Sequence, residues 1–225
     1  MSEEVVIPGC FLGEGVTAGE GTFVEENRVY SMVYGLVKRD KKEVEVIPLS
    51  GKYRPKAGDL VIGKVIESTF SMWIMDINSP YEGLLRLSNY PKRIEKEDMQ
   101  KEMRVGEMVI TRIKEVEFPM RINLAMDDRK CAVIREGVVI EIAHTKIPRV
   151  IGKGGSMINL IKKKIGCNIF IGQNGRIWLS GSDEKIELAA ETILKIERDA
   201  HANRLADRID RFIKEKKKGK GKNAK

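Results

Sequence analysis

The stretch Val150-Ile151-Gly152-Lys153-Gly154-Gly155-Ser156-Met157-Ile158 has residue types and spacing suited to holding a phosphodiester backbone. Glycines let a chain pass close to sugar and phosphate without a clashing Cβ. A helix beginning at Ser156 offers unpaired backbone N–H groups and the positive end of its dipole to an anion. Lys153 adds a charge at the loop tip, and Lys162, Lys163 and Lys164 follow on the same helix. Ile147, Ile151, Ile158, Ile169 and Ile171 could wall an apolar groove for bases. A tight turn between two helices also wants glycine, so spacing alone does not separate the two uses. A second Gly-x-x-Gly, Gly172-Gln173-Asn174-Gly175, is flanked by strand-like residues and reads as a structural hairpin turn. Catalytic chemistry finds little material. There are two histidines, His144 and His201, and three distant cysteines, Cys10, Cys131 and Cys167, without zinc spacing. The one adjacent aspartate pair, Asp127-Asp128, suits an exposed turn. No catalytic residue, metal or cofactor is expected.

The elements that must position the first loop are legible around it. Gly137 to Ile142 reads as a strand, Lys146 to Val150 as a short helical turn, and Ser156 to Ile165 as a helix with Ser156 as N-cap. Asn168 to Ile171 and Arg176 to Leu179 form a hairpin around Asn174-Gly175. Asp183 to about Ile213 reads as one long amphipathic helix, and the lysine-rich tail 214–225 as disordered. The order β-α-α-β-β-α, with glycines between the two short helices, resembles a type I KH domain. In that family the Gly-x-x-Gly loop clamps about four nucleotides, which implies RNA-binding roles for Gly152, Lys153, Gly154, Gly155, Ser156, Lys162 and Lys163. Some KH folds serve instead as protein surfaces.

Upstream, residues 1–54 carry short β-type runs punctuated by glycines and read as a small all-β barrel or sandwich. Pro48 to Gly58 looks like a linker. Five runs then follow: 60–66, 73–77, 81–87, 109–116 and 122–126, with a charged, helical or irregular insertion at 92–104. Five short strands over this length suit an OB-type Greek-key barrel. The runs Gly58-Asp59-Leu60-Val61-Ile62-Gly63-Lys64-Val65 and Tyr81-Glu82-Gly83-Leu84-Leu85-Arg86-Leu87-Ser88 resemble RNA-binding domains of the ribosomal-protein S1 type. That resemblance makes Phe70 and Trp73 base-stacking candidates. It also places Arg86 where it could stack or pair with phosphate. Barrel core is the alternative location for both rings.

The whole order, an N-terminal β domain with Ile7-Pro8-Gly9-Cys10-Phe11-Leu12-Gly13, then S1-type, then KH with Gly-Gln-Asn-Gly-Arg-Ile-Trp, resembles the RNA-binding cap subunits of the archaeal exosome. These are of the ribosomal RNA-processing protein four type. The resemblance spans about residues 5–213 and implies limits of 1–54, 55–130 and 131–213 for the three domains. It further implies a non-catalytic cytoplasmic subunit that binds single-stranded RNA. Three such cap subunits would sit on a hexameric ring of RNase PH-like proteins and feed RNA to its pore for 3′-to-5′ degradation. Polynucleotide phosphorylase also carries KH and S1-type units, but there KH comes first, after catalytic domains that this chain lacks. A stand-alone factor acting on ribosomes or messenger RNA is the other reading.

No run of residues approaches the roughly 18 apolar positions of a membrane span, and the acidic Met-Ser-Glu-Glu start is not a secretory signal. The net charge is +8. Its placement is more informative than its size. Residues 137–181 hold 7 basic and 1 acidic side chain, residues 214–225 also 7 and 1, and residues 1–55 hold 7 and 9. The positive excess therefore surrounds the glycine loop and the tail, and the acidic N-terminal part suits a protein partner.

Overall fold

A computed structural model describes residues 4–117, 119–200, 202 and 204–220. They fall into two compact units, Met1–Gly51 and Lys52–Lys225.

The first unit is all β. Strands β1 (Val5–Val6), β6 (Gly35–Asp40), β7 (Glu43–Pro48) and β3 (Thr17–Ala18) form one sheet in the order β1-β6-β7-β3; β2 (Phe11–Glu14), β5 (Arg28–Ser31) and β4 (Thr22–Glu25) form a second in the order β2-β5-β4. The β4–β5 turn sets Glu26 and Asn27 at φ 46° and 62°, the geometry of a tight two-residue hairpin. Val6, Leu12, Val29, Val44 and Val46 are the buried core. Gly21 is required by close approach, since a Cβ there would lie 2.3 Å from the Val46 carbonyl oxygen.

The second unit opens with a closed barrel. Strands β8 (Leu60–Ser68), β9 (Met72–Asp76), β10 (Glu82–Arg86), β11 (Met108–Glu117) and β12 (Arg121–Ala125) pair in the order β12-β10-β9-β8-β11. The barrel closes because β12 pairs parallel to β10 (Gly83↔Ile122) and antiparallel to β11 (Val116↔Ile122). Strand β13 (Ala132–Ile134) adds to the outer edge of β11. Tyr53 is buried in this core and donates to Asp59 at 2.5 Å. The barrel thus draws on residues at both ends of the 55–130 stretch. The charged insertion is partly helical, with α1 at Met99–Glu102; Met99 and Met103 are buried in the barrel core. Tyr90 donates to Glu102 at 2.7 Å; burial and that carboxylate push its hydroxyl up to about 12.

The remainder of the unit runs β14 (Val138–Glu141), α2 (Ile147–Ile151), α3 (Ser156–Ile165), β15 (Asn168–Ile171), β16 (Arg176–Ser180) and α4 (Asp183–Arg198). The three strands pair antiparallel in the order β14-β16-β15. This is the β-α-α-β-β-α arrangement expected of a KH fold. Ile147, Val150, Ile161, Ile177, Leu179, Ala189, Ile193 and Ile196 are buried between helices and sheet.

The single long C-terminal helix does not exist. The chain turns after Arg198, with Arg204 at φ 54°, and resumes as α5 (Leu205–Lys220). A straight helix from 183 to 213 would run ~46 Å and carry Ile209 and Ile213 away from the core. Folded back, both are fully buried with the residues of α3 and α4. The apolar period continues across the break, which is why sequence reads through it. The tail differs from expectation too. Residues 214–220 extend α5, held by Lys214–Asp210 and Lys216–Glu191 ion pairs at 2.6 and 2.9 Å; residues 221–225 lie outside the described residues.

Candidate nucleic-acid interface

Helix α2 ends where Gly152 takes φ 75°, ψ 169°, and its N–H donates to Pro148 O at 2.8 Å. A Cβ at Gly152 would lie 2.8 Å from both Met157 N and Met157 Cβ, so only glycine lets the loop turn into α3. Gly154 and Gly155 are left-handed at φ 59° and 79°, and Gly154 has open space around its missing side chain. Lys153 is exposed at the tip. The N-cap of α3 is Gly155 instead of Ser156, which is the first helical residue. No side chain caps this end and no acid stands in the first turn. Ser156 N–H is taken by Lys153 O, and the amides that follow it in the first turn are left without a side-chain cap, available to an anion.

Seven residues on from Gly155, Lys162 returns to the same flank of the helix. Lys162 and Lys163 are exposed and make no ion pair among the described residues; Lys164 is bound to Asp210 at 3.0 Å. Of the apolar groove residues, Ile151, Ile158 and Ile171 are partly exposed. Ile147 and Ile169 are core residues instead, at 1% and 6% exposure.

On the barrel, Thr69 staples the β8–β9 turn. Its N–H and hydroxyl both donate to Met72 O at 3.0 Å, and its hydroxyl oxygen accepts from Ser71 and Met72 N–H. The staple leaves Phe70 projecting, 79% exposed. Arg86 is exposed opposite Met72 in the β9–β10 register, and Leu87 N–H bonds Ser71 O at 3.0 Å. Phe70 and Arg86 therefore share one end of the β9–β10 hairpin. Trp73 does not join them. It is fully buried opposite Leu85, its ring 5.3 Å from Tyr90, and its indole N–H has no partner. A base cannot stack on it in this fold, so the core alternative holds for Trp73. The alternation of Trp73, Met75 and Ile77 against Ile74 and Asp76 carried that signal.

The second Gly-x-x-Gly is a hairpin turn, as read, but its side chains reach into the barrel. The β8–β9 ladder begins at Lys64↔Asp76, leaving the Leu60–Ile62 edge of β8 without a β9 partner. Asn174, fully buried, fills that edge. Its Nδ2 donates to Ile62 O and Ile77 O at 2.8 Å each, and its Oδ1 accepts from Ile62 N–H at 3.3 Å. Gln173 N–H donates to Leu60 O at 2.9 Å. Arg176, its side chain 5% exposed, donates to Glu141 at 2.7 Å, to Asp76 Oδ2 at 2.5 Å and to Asp76 O at 2.7 Å. Burial opposes ionisation of Asp76, yet Arg176 and the Asn78 amide hold its carboxyl below the usual carboxylate range. This clamp fixes the KH sheet to the barrel, and with it the distance between the Gly152–Gly155 loop and Phe70. Sequence reading missed it, because a turn motif does not announce partners some hundred residues away.

Comparison with known proteins matches three family descriptions in this order. They are the Exosome RNA binding protein RRP4 N-terminal domain over residues 3–50, the RRP4 S1 domain over 52–104 and the KH domain over 137–195. The Exosome complex component Rrp4 of Methanosarcina mazei is 46% identical over 215 residues, covering 95% of this chain and 83% of the relative. That of Pyrococcus furiosus is 41% identical over 220 residues, covering 95% and 83%. The chain belongs to the Rrp4 family of exosome components. A crystal structure assigned provisionally as an exosome complex RNA-binding protein is similar to it with a TM-score of 0.70 and 32% identity. The match covers 76% of this chain and 99% of that one. In this Rrp4-family chain no helix among the described residues is long and apolar enough to cross a membrane.

Proposed function

We propose that this chain is a non-catalytic cytoplasmic cap subunit of the exosome. Three copies sit on a hexameric RNase PH-like ring, capture single-stranded RNA and feed it to the pore for 3′-to-5′ degradation. The observation that carries the reading is the joining of two RNA-competent features in one compact unit. One is a loop with an exposed lysine and uncapped helix amides; the other is a projecting Phe70 beside Arg86. Stacking on an exposed ring is worth ~1–3 kcal/mol per base, and three copies around one pore raise the effective concentration of each site for the same strand. The N-terminal unit supports the docking role. Val5, Ile7, Phe11 and Val24 are 53–60% exposed there, a share of apolar surface suited to a protein partner.

Reconstitution with an RNase PH-type ring tests this. Gly154→Asp enters open space at a left-handed φ of 59°, which costs a side chain ~1–2 kcal/mol, so a lower thermal midpoint is expected with folding and ring assembly retained. RNA affinity of the assembled complex is expected to fall about tenfold, ~1.4 kcal/mol, as it should for Lys153→Asp. Failure of the chain to join the ring, or to raise its RNA affinity, defeats the reading. Unchanged affinity in both variants removes the KH loop from it.

A further inference from the structure

The lysines of α5 were expected to lie in a loose tail. In the fold they stand against the C-terminal end of α3. Lys164 Nζ is 3.0 Å from Asp210 Oδ1, Lys214 Nζ is 2.6 Å from Asp210 Oδ2, and Lys217 Nζ donates to Lys164 O at 2.5 Å. Lys185, at the start of α4, brings its ammonium to 3.8 Å from where a Gly166 side chain would begin. Exposed Lys162 and Lys163 complete the group. Among the described residues, Asp210 is the one carboxylate paired to these six lysines. Lys164 and Lys214 hold its carboxyl below the ordinary range.

Cations are favoured at a helix C-terminus, and that accounts for Lys217 capping Lys164 O. It also suits Lys162, Lys163 and Lys164, which stand in the last turn of α3, but not Lys214, carried on α5, or Lys185, carried on α4. The dipole's influence is spent within the last turn, and further ammonium groups there repel one another. Ile209 and Ile213, the apolar residues of α5 nearest the cluster, are already fully buried. The surface thus offers charge without the apolar centre of a protein interface. Lys162 shares a flank with Gly155, so one face of α3 leads from the glycine loop to the cluster.

We infer that Lys162, Lys163, Lys164, Lys185, Lys214 and Lys217 form a second phosphodiester site, which holds the single-stranded RNA backbone beyond the nucleotides clamped by the Gly152–Gly155 loop. The inference rests on RNA passing that loop. Helix α3 spans ten residues, so its C-terminal end, where Lys164, Lys214 and Lys217 meet, stands ~15 Å from the glycine loop. Short RNAs confined to the loop do not reach it; longer ones do.

The test measures binding of the full chain to mixed-sequence single-stranded RNAs of about six and about fourteen nucleotides. The variants are Lys214→Gln/Lys217→Gln, Lys162→Gln/Lys163→Gln and Lys153→Asp, with thermal midpoints confirming that each is folded. Both glutamine pairs are expected to weaken the long RNA about tenfold, and Lys214→Gln/Lys217→Gln to weaken the short one less than twofold. Each should also reduce the slope of log affinity against log salt by about 1.4, two single-strand phosphate contacts' worth. Lys153→Asp is expected to weaken both RNAs. Full retention of long-RNA affinity and salt slope in the glutamine pairs overturns the site. Equal loss on both lengths in Lys214→Gln/Lys217→Gln also overturns it. Lys153→Asp without effect on either RNA defeats the loop reading instead, and the cluster is then judged on the long RNA alone.

Discussion

Two signatures occur twice in this chain, once facing solvent and once facing the core. Gly152–Gly155 and Gly172–Gly175 have the same Gly-x-x-Gly spacing. The first lies between helices and keeps open space at Gly154. The second lies between strands, and a Cβ at Gly175 would meet the Ile142 carbonyl oxygen at 2.3 Å. Phe70 and Trp73 are three residues apart; one ring is 79% exposed and the other fully buried. Spacing alone therefore assigns no role. What separates the copies is the element that carries each, because a helix start presents free amides and a β-hairpin does not. Alternation along β9 turns Trp73 inward, whereas Phe70 stands in the β8–β9 turn and projects.

Substitutions in the buried copies should cost stability, and those in the exposed copies should cost RNA affinity. The largest effect is expected at Trp73. Trp73→Ala opens a cavity in the barrel core and should lower unfolding free energy by about 3–5 kcal/mol in urea titration. Phe70→Ala should leave that titration unchanged and weaken RNA binding by about 1–3 kcal/mol. Equal stability losses at the two positions would erase the distinction. Asn174→Ala comes next, at about 3 kcal/mol, because it removes the partner of the Ile62 N–H and of Ile77 O, at roughly 1–3 kcal/mol for each group left unpaired, while Ile62 O keeps Arg176. Amide exchange should rise at Leu60–Ile62 first. A loss as small as that of an exposed asparagine would mean that the second loop is not a clamp.

Much of this was legible in residue pattern. Asn174-Gly175 announced its hairpin, and glycines between two short amphipathic stretches announced the α2–α3 loop. The strands of the barrel declared themselves by β-branched runs and turns. Three things were hidden for physical reasons. The α4–α5 break interrupts the backbone without interrupting the apolar period, since Ile196 and Ile209 face the same core. Arg176 looks like one more basic residue of a positive segment, but its charge is used up by Asp76 and Glu141. The α5 lysines look like a solvated run until the helix folds back and sets Lys217 on Lys164. In each case the missing information is tertiary: which distant group the side chain meets.

The smallest expected effect separates the two loops by acid. Asp76 sits in the clamp with its carboxyl held below the usual range by Arg176 and the Asn78 amide, against the opposing effect of burial. A depressed carboxylate contributes stability that is complete above its unfolded value of ~3.9 and is lost as pH falls through the lower folded value. The Asp76 side chain is 41% exposed, so solvent screens the pair and the contribution should be about 0.5 kcal/mol. Asp76→Asn keeps an acceptor for Arg176 but cannot titrate. Between about pH 5 and pH 2.5 the wild type should therefore lose more stability than the variant, read as a difference in urea midpoints. Parallel losses would mean that the Arg176–Asp76 pair contributes no net stability, leaving Asn174 and the Gln173 amide to hold the second loop in the barrel.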